Sequence, residues 1–522
     1  MLTNAQAAAR PGALPRVEVS DAPADKHRNS YGEILKSSLI IGGSSVISLL
    51  ITMLRTKAIA LILGPAGFGL MGLYTSVAEL TRSVAEMGIN SSGVRQIAEA
   101  AGSEDSQKLA RTVTILRRTA IVLGLIGACL LLVFATPISQ TTFNTPRYAT
   151  GIRLLSLAVF FRLLADGQGA LIQGLRRLDD LARINILSAL FGTLAAVPLV
   201  YLMGEDGVAL SLAAVAATAA LTSWHYSRKV VIEKPQWAAT QARAEVQALL
   251  RTGFAFMGSG VLVMGTSYVV RLIIIRYDGL AAAGLYQAAW TIGGIYVGFL
   301  LQAMGADFYP RLVALVTDHE RCNRVVNEQT QIGILCAVPG VLATICLAPV
   351  VVTVIYSREF LGAIEVLRWV CLGMGLRIVS WPIGFIIVAK GRQTIFLLTE
   401  LAWTVVSLLL AWACISRFGL KGAGIAFFLS YVFHTVMLLP VVRHLTGFRW
   451  SPANLSVGLW YLLAVTIVVF AFQFLPMLYA SAVGGLVTIL VSLYSIRQLI
   501  RLLPPAKLPK ALAGMRKLFK KT

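Results

Sequence analysis

The stretch "GFGLMGLYTSVAELTRSVAEMG", residues 67–88, holds two features that together decide the fold. Its first ten residues recur as "LAAAGLYQAA" at 280–289, an offset near 212. Its second half sets Glu79, Arg82 and Glu86 at i, i+3 and i+7, which on a helix is a single face. A chain that is 57% hydrophobic and 13% charged has little reason to draw three charges down one segment unless that face meets something polar. The repeat implies an architecture built twice, and the stripe implies an interior that is not wholly apolar.

Outward from this stretch the chain reads as a membrane protein. At 522 residues, a water-facing fold would need far more charge to cover its surface. Instead, apolar runs of roughly 17–25 residues follow one another, the length that crosses a bilayer core as a helix. Hydropathy places about fourteen spans, from Leu35–Ala58 and Ala66–Ile89 to Val457–Phe474 and Tyr479–Leu493. The expected fold is an all-α polytopic membrane protein with two pseudo-symmetric six-helix lobes and two added C-terminal helices.

The segments divide accordingly. Residues 1–33 are a polar, disordered cytoplasmic tail, 34–230 the N-terminal lobe, 231–252 a cytoplasmic linker and 253–445 the C-terminal lobe. Two further spans occupy 446–500, and 501–522 form a basic cytoplasmic tail suited to anionic headgroups. Further echoes support the repeat: "FATPIS" at 134–139 with "CLAPVV" at 346–351, and "EDGVAL" at 205–210 with "LKGAGI" at 420–425.

The formal net charge of +22 is not a nucleic-acid signal. Most Lys and Arg residues fall in the tails and in alternate gaps between spans, which is the positive-inside pattern and puts both termini in the cytoplasm. No ladder of aromatic and basic residues suits single strands. The six cysteines show no metal spacing and imply no disulfide framework. The polar stretch before the first apolar run is too long for a cleavable signal. No GxxxxGK[ST], HExxH, CxxC or GxSxG pattern occurs, so neither nucleotide hydrolysis nor a standard hydrolytic site is expected. No cofactor or metal is expected, and the protein is not expected to be an enzyme.

Ionisable residues at membrane depth cost several kcal/mol unless they face a partner or a wet cavity, so their positions are informative. The basic ones are Arg55, Lys57, Arg82, Arg162, Arg271 and Arg377, and the acidic ones Glu79, Glu86, Asp166 and Glu400. A cavity lined by these arginines would draw an anion, and a planar guanidinium suits phosphate oxygens. The carboxylates could exchange H+ or Na+ with a gradient. Blander roles stand beside these: Arg162 and Asp166 can neutralise one another at i, i+4, Arg55 and Lys57 can snorkel to headgroups, and His434 reads as a packing histidine.

"LGPAGFGLMGLY" at 63–74, "GLYQAAWTIGGIYVGFLLQAMGADFYPRL" at 284–312 and the basic gap after it resemble the Wzx-type translocases of lipid-linked oligosaccharides, in the multidrug/oligosaccharidyl-lipid/polysaccharide exporter superfamily. The resemblance spans roughly 35–445. It implies a flippase that moves an undecaprenyl-diphosphate-linked oligosaccharide from the cytoplasmic to the periplasmic leaflet by ion-coupled alternating access. The setting would be surface polysaccharide biosynthesis, such as O-antigen or exopolysaccharide, in a bacterial inner membrane, with a polysaccharide polymerase and a chain-length regulator as partners. By position it also implies a basic role for Lys57 and Arg271. A cation-coupled multidrug exporter of the same superfamily would want a more acidic cavity. A membrane-embedded glycan polymerase or ligase would want larger outer loops.

Overall fold

The computed structural model describes residues 24–103, 105–230 and 239–502. The expected N-terminal tail up to residue 23 and the basic tail beyond 502 lie outside these, while residues 24–33 open the first helix. In chain order the helices are α1 (Ala24–Glu86), α2 (Ile89–Ala101), α3 (Ser106–Phe143), α4 (Ala149–Gly174), α5 (Leu178–Met203) and α6 (Gly207–Ser227). Next come α7 (Ala239–Ala314), α8 (His319–Cys346), α9 (Ala348–Ile355) and α10 (Ile364–Ala389). The chain closes with α11 (Gln393–Phe418), α12 (Leu420–Thr446), α13 (Pro452–Phe474) and α14 (Met477–Leu502). No strand occurs among the described residues, as lipid demands: a span must satisfy its backbone polar groups within itself.

Two helices are too long to be single spans. A straight α1 of 63 residues would run ~95 Å and α7 of 76 residues ~114 Å, against a hydrocarbon core of ~30 Å. Each breaks at a glycine in the left-handed region, Gly64 (φ 63°) and Gly279 (φ 82°), where a Cβ would be strained. The chain folds back there. Arg271 Nη2 donates to Gln287 Oε1 at 2.7 Å, the two residues lying equally far on either side of Gly279. Ser45, in the first arm of α1, and Asn90, four residues beyond its C-terminal end, line one cavity, as the fold-back requires. Of eleven apolar segments long enough to cross a membrane, Gly42–Glu86, Leu178–Ser227 and Gly260–Gly298 each contain such a turn. The described residues therefore make fourteen passes, as the hydropathy pattern predicts.

The repeat is closer than the sequence echoes suggest, and its register differs. Helix α4 is reproduced by α10, and α5 by α11, with both ends displaced by 215 residues. The turns follow the same offset: Gly64 with Gly279, Arg176 (φ 55°) with Gly391 (φ 67°), and Gly204 (φ 59°) with Gly419 (φ 58°). The shorter offset holds only over α3 and its counterpart, whose N-caps Asp105 and Asp318 differ by 213 residues and whose ends Phe143 and Ile355 differ by 212. There α3 runs on through its proline, whereas its counterpart breaks at Leu347 into α8 and α9. The shift is local: the register is 215 before this helix, at Gly64 and Gly279, and returns to 215 after it, where the six-residue 3-10 turn Arg358–Ala363 replaces the three-residue turn Pro146–Tyr148.

Helices α1 and α3–α6 pack into one set, α7, α8 and α10–α12 into a second, and α13 and α14 lie against α8. The sets meet where the returning arms of α1 and α7 cross. A Cβ on Gly69 would stand 2.2 Å from the Leu280 carbonyl oxygen, and one on Gly284 would stand 1.8 Å from that of Pro65. These contacts are a reciprocal pair in the 215-residue register. Only glycine permits so close a backbone crossing. On the outer surface Leu459, Trp460 and Leu462 of α13 are each more than 60% exposed, which water would not tolerate over such an area but lipid requires. This is a multi-pass membrane protein.

Candidate functional site

The charge stripe of α1 finds its partners within the first helix set. Arg82 Nε donates to Glu79 Oε2 at 2.8 Å, and its Nη1 donates to Glu86 and, at 3.3 Å, to Asp166 Oδ2 of α4. Arg162 Nε lies 3.3 Å from Asp166 Oδ1, so the two arginines share three carboxylates. Glu86 and Asp166 are mostly buried. Removing the central guanidinium from such a group leaves partly desolvated anions facing one another, a loss of about 3–5 kcal/mol by analogy with broken buried pairs.

Each helix set encloses a cavity, and the repeat relates the two. The first, of about 580 Å³, is lined by Ser48, Thr52, Arg55, Arg162, Asp166, Asn185, Ser188 and Ala219, among others. The second, of about 390 Å³, is lined at the equivalent positions by Val263, Ser267, Val270, Arg377, Trp381, Glu400, Trp403 and His434. Arg162 and Arg377 are thus the same arginine in the two repeats. Asn185 takes the place of Glu400, and Asp166 that of Trp381. Glu79, Thr75 and Ser76 of α1 also reach the second cavity, so it lies where the two sets face each other.

The six basic residues expected at membrane depth do not share one cavity. Arg55 and Arg162 line the first, Arg271 and Arg377 the second, and Arg82 is held by its carboxylates. Lys57 lines neither: its Nζ donates to the Val354 carbonyl at 2.6 Å, reaching from α1 to α9 of the other set. Arg276 reaches the other way, Nη2 donating to the Thr141 carbonyl of α3 at 3.3 Å. Thr142 Oγ1 and Tyr268 hydroxyl lie 2.6 Å apart on the same side. With the Phe68 ring against Tyr356 and Phe360 at centroid distances of 5.3 and 5.7 Å, these contacts close the face that carries the two hairpin turns.

The two cationic side chains of the second cavity differ. Arg271 is 6% exposed and is engaged only by neutral oxygens: Gln287 Oε1 at 3.1 and 2.7 Å, the Ser267 carbonyl at 2.9 Å, and Ser267 Oγ. Its guanidinium also lies 5.7 Å from the Tyr286 ring centroid. No carboxylate pairs with it among the described residues. Arg377 has Glu400, Tyr431 and His434 within electrostatic reach. Sequence reasoning missed Gln287, Ser267 and the aromatic lining, and it read His434 as packing. A polar or aromatic side chain within an apolar span carries no periodic signal of which way it faces.

The hairpin-built, doubly repeated bundle with charged interior cavities is a multi-pass transporter fold. It is shared with a solved structure described as lipid II flippase MurJ in an inward closed conformation (TM-score 0.67, 14% identity, 89% of this chain and 100% of that one). An inward-facing multidrug resistance MATE family transporter of the MOP superfamily is also similar (TM-score 0.64, 14% identity, 77% and 98%). The chain belongs to the polysaccharide biosynthesis protein family, whose profile matches residues 58–365. Among curated relatives, the lipid III flippase of Escherichia coli (strain K12) is 24% identical over 407 residues, 76% of this chain and 95% of that protein. The succinoglycan biosynthesis transport protein ExoT of Rhizobium meliloti (strain 1021) is 26% identical over 318 residues, 61% of each chain. The resemblance to the Wzx-type translocases is borne out.

Proposed function

We propose that this protein flips an undecaprenyl-diphosphate-linked oligosaccharide from the cytoplasmic to the periplasmic leaflet of a bacterial inner membrane, with both termini cytoplasmic. It makes and breaks no covalent bond and acts as a transporter. The observation that carries this reading is Arg271, a buried cation on a cavity wall that only neutral oxygens and a ring face engage. Such a cation is costly to bury and is stabilised by an incoming anion, and a diphosphate supplies oxygens in the spacing a guanidinium accepts. Arg377 on the same cavity serves the same anion, and Arg55 and Arg162 offer a second station in the equivalent cavity. The names of the relatives, a lipid III flippase and a succinoglycan transport protein, support the substrate class.

Carboxylates supply the coupling. Glu79, Glu86 and Asp166 compete for Arg82, so a proton or Na+ taken up by one of them alters how tightly α1 is tied to α4. Glu400, beside Arg377, links ion occupancy to the anion station. A polysaccharide polymerase and a chain-length regulator are the partners that would consume the product. In a strain lacking its own flippase, the wild type should restore surface polysaccharide, and Arg271→Gln or Arg377→Gln should not, at equal membrane abundance. Normal polysaccharide with both variants overturns the anion-station reading.

A further inference from the structure

The second cavity has an aromatic wall that its counterpart in the repeat lacks. Tyr286 and Trp290 stack at 6.0 Å, Trp290 meets Phe427 edge-on at 5.0 Å, Phe427 meets Tyr431 at 5.0 Å, and Tyr431 meets Trp403 at 5.6 Å. These rings come from α7, α12 and α11 and form one continuous surface. The same cavity is lined by Arg377, Glu400, Gln287 and Ser380.

Packing does not explain the wall. In the 215-residue register its five positions correspond to Met71, Thr75, Leu212, Ala216 and Ser188, none aromatic. The first helix set builds the corresponding hairpin arm of α1, an α5 equal in length to α11, and a shorter α6 without these rings, so the helical framework forms without them. The wall also holds polar capacity that the protein leaves unused: Trp403 Nε1 and His434 Nδ1 have no hydrogen-bond partner among the described residues. A tryptophan placed only to fill a core usually finds one.

A surface with an apolar aromatic side and charged or amide groups at its edge matches a pyranose ring. The axial C–H bonds of such a ring form an apolar face that lies on an aromatic plane, while its hydroxyls at the rim accept from Arg and donate to Glu or Gln. The cavity volume of about 390 Å³ falls within the ordinary range of small-molecule sites and admits a ring or two, not a whole oligosaccharide. We infer that the cavity of the second helix set is a sugar subsite, in which the Trp403–Tyr431 wall stacks a pyranose of the transported glycan beside the arginines that meet the diphosphate. This rests on the flippase reading above. It adds to it that the two cavities have different tasks, and that sugar is recognised in only one of them.

Two probes separate this inference from the reading it rests on: undecaprenyl diphosphate and undecaprenyl-diphosphate-linked N-acetylglucosamine, each titrated into the full-length protein in nanodiscs. Stacking uses a face common to most pyranoses, so this sugar is an adequate probe. Wild type should bind the sugar-bearing lipid about tenfold more tightly than the bare diphosphate, the scale of one stacked and hydrogen-bonded ring. Trp403→Leu should abolish that preference while leaving the bare diphosphate unaffected, and Trp403→Phe, which keeps a ring, should retain most of it. Arg271→Gln should weaken both lipids alike. If neither lipid binds, or Arg271→Gln changes neither affinity, the flippase reading fails. If both bind but wild type shows no preference, or Trp403→Leu keeps it, the sugar subsite fails. Saturation-transfer NMR of wild type with methyl N-acetylglucosaminide covers the case in which Trp403→Leu does not fold. Saturation of the axial ring protons supports the wall, and its absence overturns it.

Discussion

Replacing Gly284 by alanine is the sharpest test of how the two helix sets are joined. The added methyl would stand 1.8 Å from the Pro65 carbonyl oxygen and 2.9 Å from the Gly69 nitrogen. A carbon and a carbonyl oxygen rest at about 3.3–3.6 Å even in a favourable C–H···O contact, so the crossing helices must part by roughly 1.5 Å. Both obstructing atoms are backbone, and no rotamer change relieves them. Overpacking typically costs about 1–3 kcal/mol, and a backbone obstruction belongs at or above the upper end of that range. Gly69→Ala meets the Leu280 carbonyl at 2.2 Å and should cost a similar amount. One separation relieves both clashes, so the double variant should cost less than the sum of the singles. Thermal melting of purified protein in detergent measures this, with Gly375→Ala of α10 as the control, since nothing lies within 4 Å of a Cβ there. A clear fall in Tm is expected for Gly284→Ala and Gly69→Ala only. If Gly284→Ala melts with Gly375→Ala, the close backbone crossing is not what joins the two sets.

Other outcomes follow from the charged groups. Arg82→Gln should destabilise the protein by about 3–5 kcal/mol, and adding Glu86→Gln should recover part of that loss, read in the same melting assay. Lys57→Met and Arg276→Met each remove one reciprocal tie across the hairpin face. Each should raise labelling of a cysteine placed at Thr142 by a membrane-impermeant maleimide, and unchanged labelling in both would mean that these ties do not hold the face shut. Glu400→Gln should reduce the dependence of flipping in proteoliposomes on an imposed proton or Na+ gradient. A wild type indifferent to both gradients would remove the coupling role from all four carboxylates.

Much of the fold could be read in the sequence because lipid acts on each segment separately. A run of apolar residues has to be a helix in the bilayer whatever its neighbours do, so span number and the presence of a repeat come through. The same constraint singled out the ionisable residues, since each is expensive wherever it ends up. The stripe of Glu79, Arg82 and Glu86 did mark a polar interior. That Arg82 ties all three carboxylates together could not be read, because Asp166 comes from another helix. The repeat register was read near 212 and is 215 outside α3 and its counterpart, because short echoes cannot reveal the three extra residues in the turn before α10.

The sequence by itself determined an all-helical, fourteen-pass chain, folded twice on one plan, with both signs of charge at membrane depth. Only the tertiary structure decided which of those charges share a space. It divided four arginines between two equivalent cavities, enclosed Arg82 among carboxylates, set Lys57 and Arg276 as ties across the hairpin face, and gathered aromatic residues from three helices into a wall on one side only. The physical reason is that hydropathy and length depend on a segment's own residues. The direction in which a side chain points depends on the helix's rotation and tilt, and packing against neighbouring helices sets both.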